Sequence, residues 1–195
     1  MERTRRTLSV VAAAGMLALA ACNGDPEATP PPTTSSPPPP TPSASTPSTP
    51  PKPTPPAIPP AATNGLTVTS AEAFARFYIA ALDYLRATGD ASVMRRWAFS
   101  SCESCKAYST TYEESYEAGG SVAGNLGTKI TRVTEARLVG KDTAVVVIRA
   151  TIGKTSWRRK AGEAPKTFPG GPIVWDTTLA ASAGHWTMFE MELKQ

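Results

Sequence analysis

Histidine is nearly absent from this chain, because its 195 residues include only one, His185. Serine and cysteine hydrolases need a histidine base beside the nucleophile, and zinc sites need three or four ligands. The sequence also lacks a glycine-rich phosphate loop after a strand and a nucleophile-elbow motif. A zinc site built from Cys102, Cys105 and His185 would have too few ligands. We therefore expect no metal and no cofactor, and we assign no catalytic residue.

Aromatic residues are missing from the first part of the chain, since no Phe, Trp or Tyr precedes Phe74. Between Pro26 and Pro60 the chain is almost entirely Pro, Thr, Ser and Ala, and 17 of the 20 prolines lie there. Such a segment cannot bury a core, so we expect residues 22–62 to form a disordered, proline-rich stalk. In the polyproline II conformation it would reach on the order of 100 Å. A passive tether glycosylated on Ser or Thr is the alternative.

No apolar run is long enough to span a bilayer comfortably, but a shorter one, Leu8–Ala21, follows three arginines. These proportions are typical of a signal peptide. The run ends in Leu19-Ala20-Ala21-Cys22, which resembles the lipobox of bacterial lipoproteins. The resemblance implies cleavage between Ala21 and Cys22, removal of residues 1–21, and attachment of lipid, including palmitate, to Cys22. The protein would then be anchored on the extracytoplasmic face of the cell membrane.

Two alternatives to this leader stay open, namely an uncleaved anchor helix and a leader that is cut without lipidation. The export route, general or twin-arginine, is also open. Removal of the signal peptide would take away three arginines and one glutamate, which lowers the formal net charge from +4 to +2. A nearly neutral exported chain is not expected to bind nucleic acid. The expected partners are the membrane, through the lipid, and a cell-wall polymer or an envelope protein.

If Cys22 carries lipid, Cys102 and Cys105 remain as a pair, and paired thiols outside the cytoplasm oxidise. We expect a disulfide that fixes a turn between two helices. A thioredoxin-like redox site is the alternative, but there the cysteine pair opens a helix that follows a strand. Here a helix precedes the pair, and Glu103 between the cysteines disfavours the thiolate form.

Three helices are predicted after residue 63. The first begins at a capping box, Thr69–Glu72, carries apolar residues at helical spacing over Phe74–Leu85, and ends at Gly89. Asp90 is the predicted cap of a second, short helix. The third helix spans about Ser104–Ala118 and stops at a pair of glycines.

Four strands are predicted after the helices. Their ranges are Thr128–Val139, Thr143–Ile152, Ile173–Ala181 and His185–Leu193. The Val145–Ile148 run indicates a strand that is buried on both faces, and residues 153–172 are expected to be a long polar connection. Helices followed by antiparallel strands indicate a single α+β domain at residues 63–195. In it, about three N-terminal helices would pack on a curved antiparallel sheet of about four strands.

Four segments carry a resemblance to a known family. They are Ala73–Tyr78, Ala87–Asp90, Cys102–Cys105 and Tyr116–Gly120. These segments resemble an uncharacterised family of actinobacterial lipoproteins, whose members share a lipobox, a Pro/Thr stalk and a C-terminal domain of unknown function. More loosely, the order of elements, which ends in Gly184-His185-Trp186, is similar to the cone-shaped fold of nuclear transport factor 2 and ketosteroid isomerase. A likeness at the level of the fold carries no function with it.

The predicted long connection contains a basic segment that is a candidate surface contact. It comprises Trp157, Arg158, Arg159 and Lys160. Such a segment is typical of contact with anionic headgroups or wall polymers, and equally of a solvated hairpin tip.

The cone-shaped fold implies a pocket between the helices and the sheet. Tyr78, Tyr112 and Asp176 are the candidate pocket residues, while Asp83 is expected to face solvent. Taken together, these features indicate a proline-rich cell-envelope lipoprotein that acts as a noncatalytic binding or scaffolding module. The alternative is a small-molecule enzyme, isomerase- or dehydratase-like, that uses the pocket.

Overall fold

A computed structural model describes residues 53–194 of the chain. The predicted signal peptide, Cys22 and most of the predicted stalk lie outside the described residues. Along the described part of the chain, no helix is long and apolar enough to cross a bilayer.

Four helices come first within residues 53–194. They are α1 (Pro60–Thr63), α2 (Val68–Thr88), α3 (Ser92–Arg96) and α4 (Glu103–Glu117). α2 ends as predicted, because Gly89 adopts a left-handed conformation (φ 75°) and its N–H donates to the Leu85 carbonyl. α2, α3 and α4 correspond to the three predicted helices, and α1 adds a single turn before them.

α2 begins two residues earlier than the sequence predicts. Its N-cap is Thr67, whose hydroxyl accepts from the Ser70 N–H (3.1 Å), while the Ser70 hydroxyl accepts from the Thr67 N–H (3.0 Å). The predicted capping box of Thr69 and Glu72 is therefore wrong. Ser70 is buried and its Oγ also accepts from Trp186 Nε1 (2.9 Å), a long-range contact that no local pattern indicates.

Seven strands follow in the described part of the chain. They are β1 (Gly119–Gly124), β2 (Lys129–Leu138), β3 (Thr143–Ile152), β4 (Thr155–Lys160), β5 (Lys166–Phe168), β6 (Gly171–Ser182) and β7 (His185–Lys194). They form a four-stranded antiparallel sheet in the order β2-β3-β6-β7 and a three-stranded sheet in the order β1-β4-β5. The larger sheet contains the four predicted strands, so the α+β fold class is confirmed.

The three-stranded sheet is absent from the sequence prediction. Residues 153–172, expected to be a polar connection, contain β4 and β5. Half of β4 is exposed, so it lacks the apolar alternation by which a half-buried strand is recognised. The close approach of β1 to β4 also depends on Gly120, where a Cβ would lie 2.5 Å from the Arg158 carbonyl oxygen.

One face of the larger sheet packs against α2. On β3, Val146 and Ile148 are fully buried, whereas Val145 and Val147 are only half-buried. The prediction that this strand is buried on both faces is therefore wrong. The helices cover one face, the inner face, while the other, the outer face, remains accessible to solvent.

The folded domain begins before residue 63. Ala62 in α1 is fully buried, and Ile58 packs against the core. Residues 58–62 of the predicted stalk therefore belong to the folded domain. Ile58 is the large aliphatic residue of the proline-rich tract, and its burial explains why the tract joins the core at this point.

Candidate binding site between the fourth helix and the fourth strand

α4 begins at the predicted cysteine pair. Cys102 and Cys105 form a disulfide with a Cα–Cα distance of 5.3 Å, and they are 1% and 3% exposed. Cys102 is the N-cap of α4, and its Sγ accepts from the Cys105 N–H (3.2 Å). The predicted disulfide is confirmed, and its burial at the turn between α3 and α4 supports a structural role.

α4 presents Tyr112 and Ser115 to β4. The Trp157 ring packs on Tyr112, with centroids 5.3 Å apart, and its Nε1 donates to Ser115 Oγ (2.9 Å). The same hydroxyl donates to the Arg159 carbonyl (2.9 Å). Tyr112 and Ser115 are three residues apart and so lie on one face of the helix. These contacts fix β4 against α4.

A cleft of about 600 Å³ lies beside these contacts, and we call it the α4–β4 cleft. It is lined by Thr111, Glu114, Ser115, Ala118, Arg159, Lys160 and Glu163. The guanidinium of Arg159 also lies over the Trp157 ring, 5.5 Å from its centroid, which is a cation–π distance. The cleft therefore offers cations, hydroxyls and carboxylates beside an aromatic pair.

The four residues of the predicted surface contact divide between the two faces of β4. Trp157 and Arg159 face α4, and Arg158, which lies between them in the strand, points to the opposite face. Lys160 ends the strand and lines the cleft. The structure thus brings Trp157, Arg159 and Lys160 together with Tyr112, a residue that the sequence analysis assigned to a separate pocket.

The three predicted pocket residues lie in different parts of the domain. Tyr78 is fully buried, its hydroxyl donates to the Met94 carbonyl (3.3 Å), and burial raises its pKa. Tyr112 lies at the α4–β4 cleft. Asp176 alternates with the buried residues of β6, so it lies on the outer face, where it pairs with Lys194. A pocket containing all three residues therefore does not form.

Asp83 was expected to face solvent, but it is largely buried beside the start of β2. Its two carboxylate oxygens accept from the Thr128 N–H (2.6 Å) and the Thr128 hydroxyl (2.7 Å), and Arg86 lies 3.4 Å away. Burial raises the pKa of Asp83, against the opposing effects of the Thr128 hydrogen bonds and the Arg86 charge. The expectation was wrong because helical spacing alone cannot reveal a partner 45 residues away.

His185 lies at the start of β7, where its ring meets Trp97 nearly edge-on with centroids 5.3 Å apart. Within residues 53–194, no group of three or more His, Cys, Asp and Glu residues is placed to hold a metal ion. His185 is thus an aromatic packing partner at the edge of the core.

These elements define an α+β domain in which helices cover one face of an antiparallel sheet. The domain is similar to the intermembrane space region of the chloroplast protein ARC6, with a TM-score of 0.52, 10% identity, and coverage of 66% of this chain and 96% of that chain. At this identity the similarity concerns the fold alone.

Two further similar structures are described as NTF2-like. One is an NTF2-like protein of unknown function in nutrient uptake from Rhodospirillum rubrum, with a TM-score of 0.41, 15% identity, and coverage of 61% of this chain and 95% of that chain. The other is an NTF2-like protein with a cystatin-like fold from Novosphingobium aromaticivorans, with a TM-score of 0.36, 14% identity, and coverage of 65% of this chain and 88% of that chain.

The chain belongs to a family of unknown function, DUF6318, whose profile matches residues 41–191. The match includes the end of the proline-rich tract and nearly all of the folded domain, so the expected membership of an uncharacterised family is confirmed. No curated protein is significantly similar to the chain.

Proposed function

We propose that this protein is a lipid-anchored envelope protein whose folded domain is a noncatalytic binding module presented on the proline-rich stalk. Its contact surface is the α4–β4 cleft together with the cations of β4, and its partner is an anionic membrane surface or wall polymer. The observation that carries the proposal is three consecutive exposed cations, Arg158, Arg159 and Lys160, on a strand held in place by the contacts of Trp157.

The rigidity of β4 supports a binding role. β4 is the central strand of its sheet, with β1 on one side and β5 on the other. Because Trp157 is hydrogen-bonded to Ser115 and packed on Tyr112, the cations project from a fixed backbone. A site on a rigid element loses less conformational entropy on binding than one on a mobile loop.

The charges of the cleft indicate what kind of ligand it suits. Arg159 and Lys160 in the cleft would attract anions, while the carboxylates of Glu114 and Glu163 are acceptors for the ammonium or hydroxyl groups of a ligand. This combination favours a polymer that carries both anionic groups and hydrogen-bond donors.

The side chains considered for catalysis have other contacts, which supports the noncatalytic role. The Tyr78 hydroxyl donates to a backbone carbonyl inside the core, Asp83 holds Thr128, and Asp176 pairs with Lys194 on the outer face. A carboxylate base facing a hydroxyl donor across one pocket, as an isomerase-like site needs, is not assembled from these residues.

Charge reversal at β4 tests the proposal. The mature chain with Arg158→Glu, Arg159→Glu and Lys160→Glu is compared with wild type for binding to phosphatidylglycerol vesicles and to purified wall polymer at low salt. Each cation near an anionic surface contributes about 1 kcal/mol, so the triple variant should bind more than about a hundredfold more weakly.

A scattered triple variant provides the matched control. Lys106→Glu, Arg137→Glu and Lys141→Glu change the net charge by the same amount at exposed positions away from β4. The control should retain most of the binding. An equal loss in both variants, or no loss in either, would contradict a contact surface at β4.

A further inference from the structure

On the outer face of the larger sheet, one row of paired residues contains cations and the neighbouring row contains carboxylates. One row, read across the strands from β2 to β7, is Arg132, Arg149, Val174 and Lys194. The next row is Glu135, Val147, Asp176 and Glu192. The first row therefore contains three cations and no carboxylate.

Two irregularities in β2 place these residues on the outer face. The register shifts between Ile130 and Arg132, and again between Val133 and Glu135. In a regular strand, residues two apart share a face, so Arg132 would lie on the inner face with Ile130. The extra residue between them shifts the inward–outward alternation of side chains by one position, so Arg132 points outward. β-Bulges often redirect a side chain in this way next to functional sites.

The threonines at the two bulges bond across to β3. Thr131 Oγ1 donates to the Arg149 carbonyl (2.9 Å), and Thr134 Oγ1 donates to the Val147 carbonyl (3.3 Å). The bulges are therefore held by side-chain hydrogen bonds, and the first one fixes Arg132 directly opposite Arg149.

Arg132 and Arg149 are exposed and pair directly across two antiparallel strands. Like charges in this position repel each other. The nearby carboxylates have other partners among the described residues, since Glu135 pairs with Arg137 while Asp176 and Glu192 contact Lys194. Neither Arg132 nor Arg149 has a carboxylate within ion-pair distance among residues 53–194.

The two arginines line a groove of about 460 Å³ on the sheet. Its other walls are Thr131, Ala150, Thr151, Pro172, Ile173, Val174 and Lys194. The groove is thus lined by cations, hydroxyls and apolar groups without a carboxylate, and one row further along the sheet Lys129 lies opposite Thr151.

We propose that Arg132 and Arg149 form an anion site for a phosphoryl group, at a place distinct from the α4–β4 cleft. A single carboxylate has two oxygens and is satisfied by one guanidinium fork, whereas a phosphoryl group has enough acceptor oxygens to receive both forks at once. Its negative charge also removes the repulsion between the arginines. The group is that of a free phosphate or of a phosphodiester headgroup, which share this chemistry.

The test uses the full mature chain with Cys22→Ser, titrated with inorganic phosphate at constant ionic strength and followed by NMR. Amide shifts should concentrate at residues 130–132, 149–151 and 172–174. The double variant Arg132→Gln/Arg149→Gln should lose on the order of tenfold or more in phosphate affinity. Arg137→Gln, which alters a cation of the same strand that already has a carboxylate partner, should bind phosphate like wild type.

Thermal unfolding gives a second readout that also detects a folding defect. Without phosphate, Arg132→Gln should unfold at the same or a higher temperature than wild type, because a repulsion is removed. Phosphate should raise the melting temperature of wild type and not that of the double variant. The Arg158/Arg159/Lys160 triple variant should keep its phosphate response, so this site and the proposed function can fail separately.

Vesicles distinguish the two sources of the phosphoryl group. The double variant keeps the β4 cations, so its vesicle binding is compared with that of the charge-matched control Arg137→Gln/Lys141→Gln. Phosphatidylglycerol vesicles that the double variant binds more weakly than the control identify a headgroup, whereas protection by phosphate with equal vesicle binding identifies a soluble phosphoryl ligand. Absence of both effects would overturn the proposal. So would sedimentation showing that wild type self-associates and the double variant does not, because the arginines would then serve contacts between copies of the chain.

Discussion

Asp83 is predicted from the sequence to face solvent, but in the structure its side chain holds two elements together. Its carboxylate receives both the backbone and the side-chain donors of Thr128 and thereby attaches the start of β2 to α2. The same carboxylate loses hydration on burial, and this loss raises its pKa.

The raised pKa of Asp83 predicts how stability varies with pH. The folded state binds the proton more tightly than the unfolded state, so the contribution of this group is fully present below the unfolded pKa of about 3.9 and is lost as pH rises through the folded pKa. Asp83→Asn cannot titrate. The free energy of unfolding of wild type minus that of Asp83→Asn should therefore decrease from acidic to neutral pH.

Urea unfolding of both proteins over this pH range measures the difference. An increase of the difference toward neutral pH would mean that the hydrogen bonds from Thr128 and the charge of Arg86 outweigh the loss of hydration. Because other carboxylates are common to both proteins, their titration largely cancels in the comparison.

Among the elements, α4 is stabilised at its first turn by a disulfide and by a cap. The disulfide of Cys102 and Cys105 is buried there, and Cys102 also caps the helix. The disulfide and the cap can be separated by the choice of replacement, since serine is a good N-cap and alanine is not.

The double variant Cys102→Ser/Cys105→Ser should lose about 2 kcal/mol of unfolding free energy, because the loop closed by the disulfide is very small. Cys102→Ala/Cys105→Ser should lose about 1 kcal/mol more, because the cap is also removed. Urea unfolding followed by tryptophan fluorescence measures both. Equal stability of all three proteins, or disulfide reductase activity of wild type that the variants lack, would contradict the structural role.

Local sequence patterns predicted the long elements that carry a repeating apolar stripe and missed the elements that are short, glycine-rich or half exposed. The apolar stripe of α2 and the strands of the larger sheet are readable because each places residues such as Phe74 or Ile148 in the core. β4 and β1 could not be predicted, because β4 carries Arg158, Arg159 and Lys160 and β1 is rich in glycine. Their pairing depends on contacts with α4 that are distant in sequence.

The candidate site was predictable in part for the same reason. The basic segment of β4 is visible in the sequence, whereas its association with Tyr112 and Ser115 depends on how β4 packs against α4. The outer-face arginines were missed because the bulges of β2 change which residues share a face. An alternating pattern assumes a regular strand, so it assigns Arg132 to the wrong side.

The whole chain contains a folded α+β domain and an N-terminal segment that lies outside the described residues. The domain, of a family without a known function, supplies two cationic surfaces, the β4 cations beside the α4–β4 cleft and the arginine pair on the outer face. A lipid at Cys22 would hold both surfaces near the membrane, where even weak contacts gain from the high local concentration.

The most direct test of this account is the intact mass and N-terminal sequence of the protein purified from the cells that make it. We predict that it is recovered from the membrane fraction, begins at Cys22 and carries the added mass of a diacylglycerol and of further acyl groups on that residue. Cys22→Ser should abolish the added mass and release the protein from the membrane. Recovery of unlipidated protein from the cytosol with residues 1–21 still attached would contradict the account.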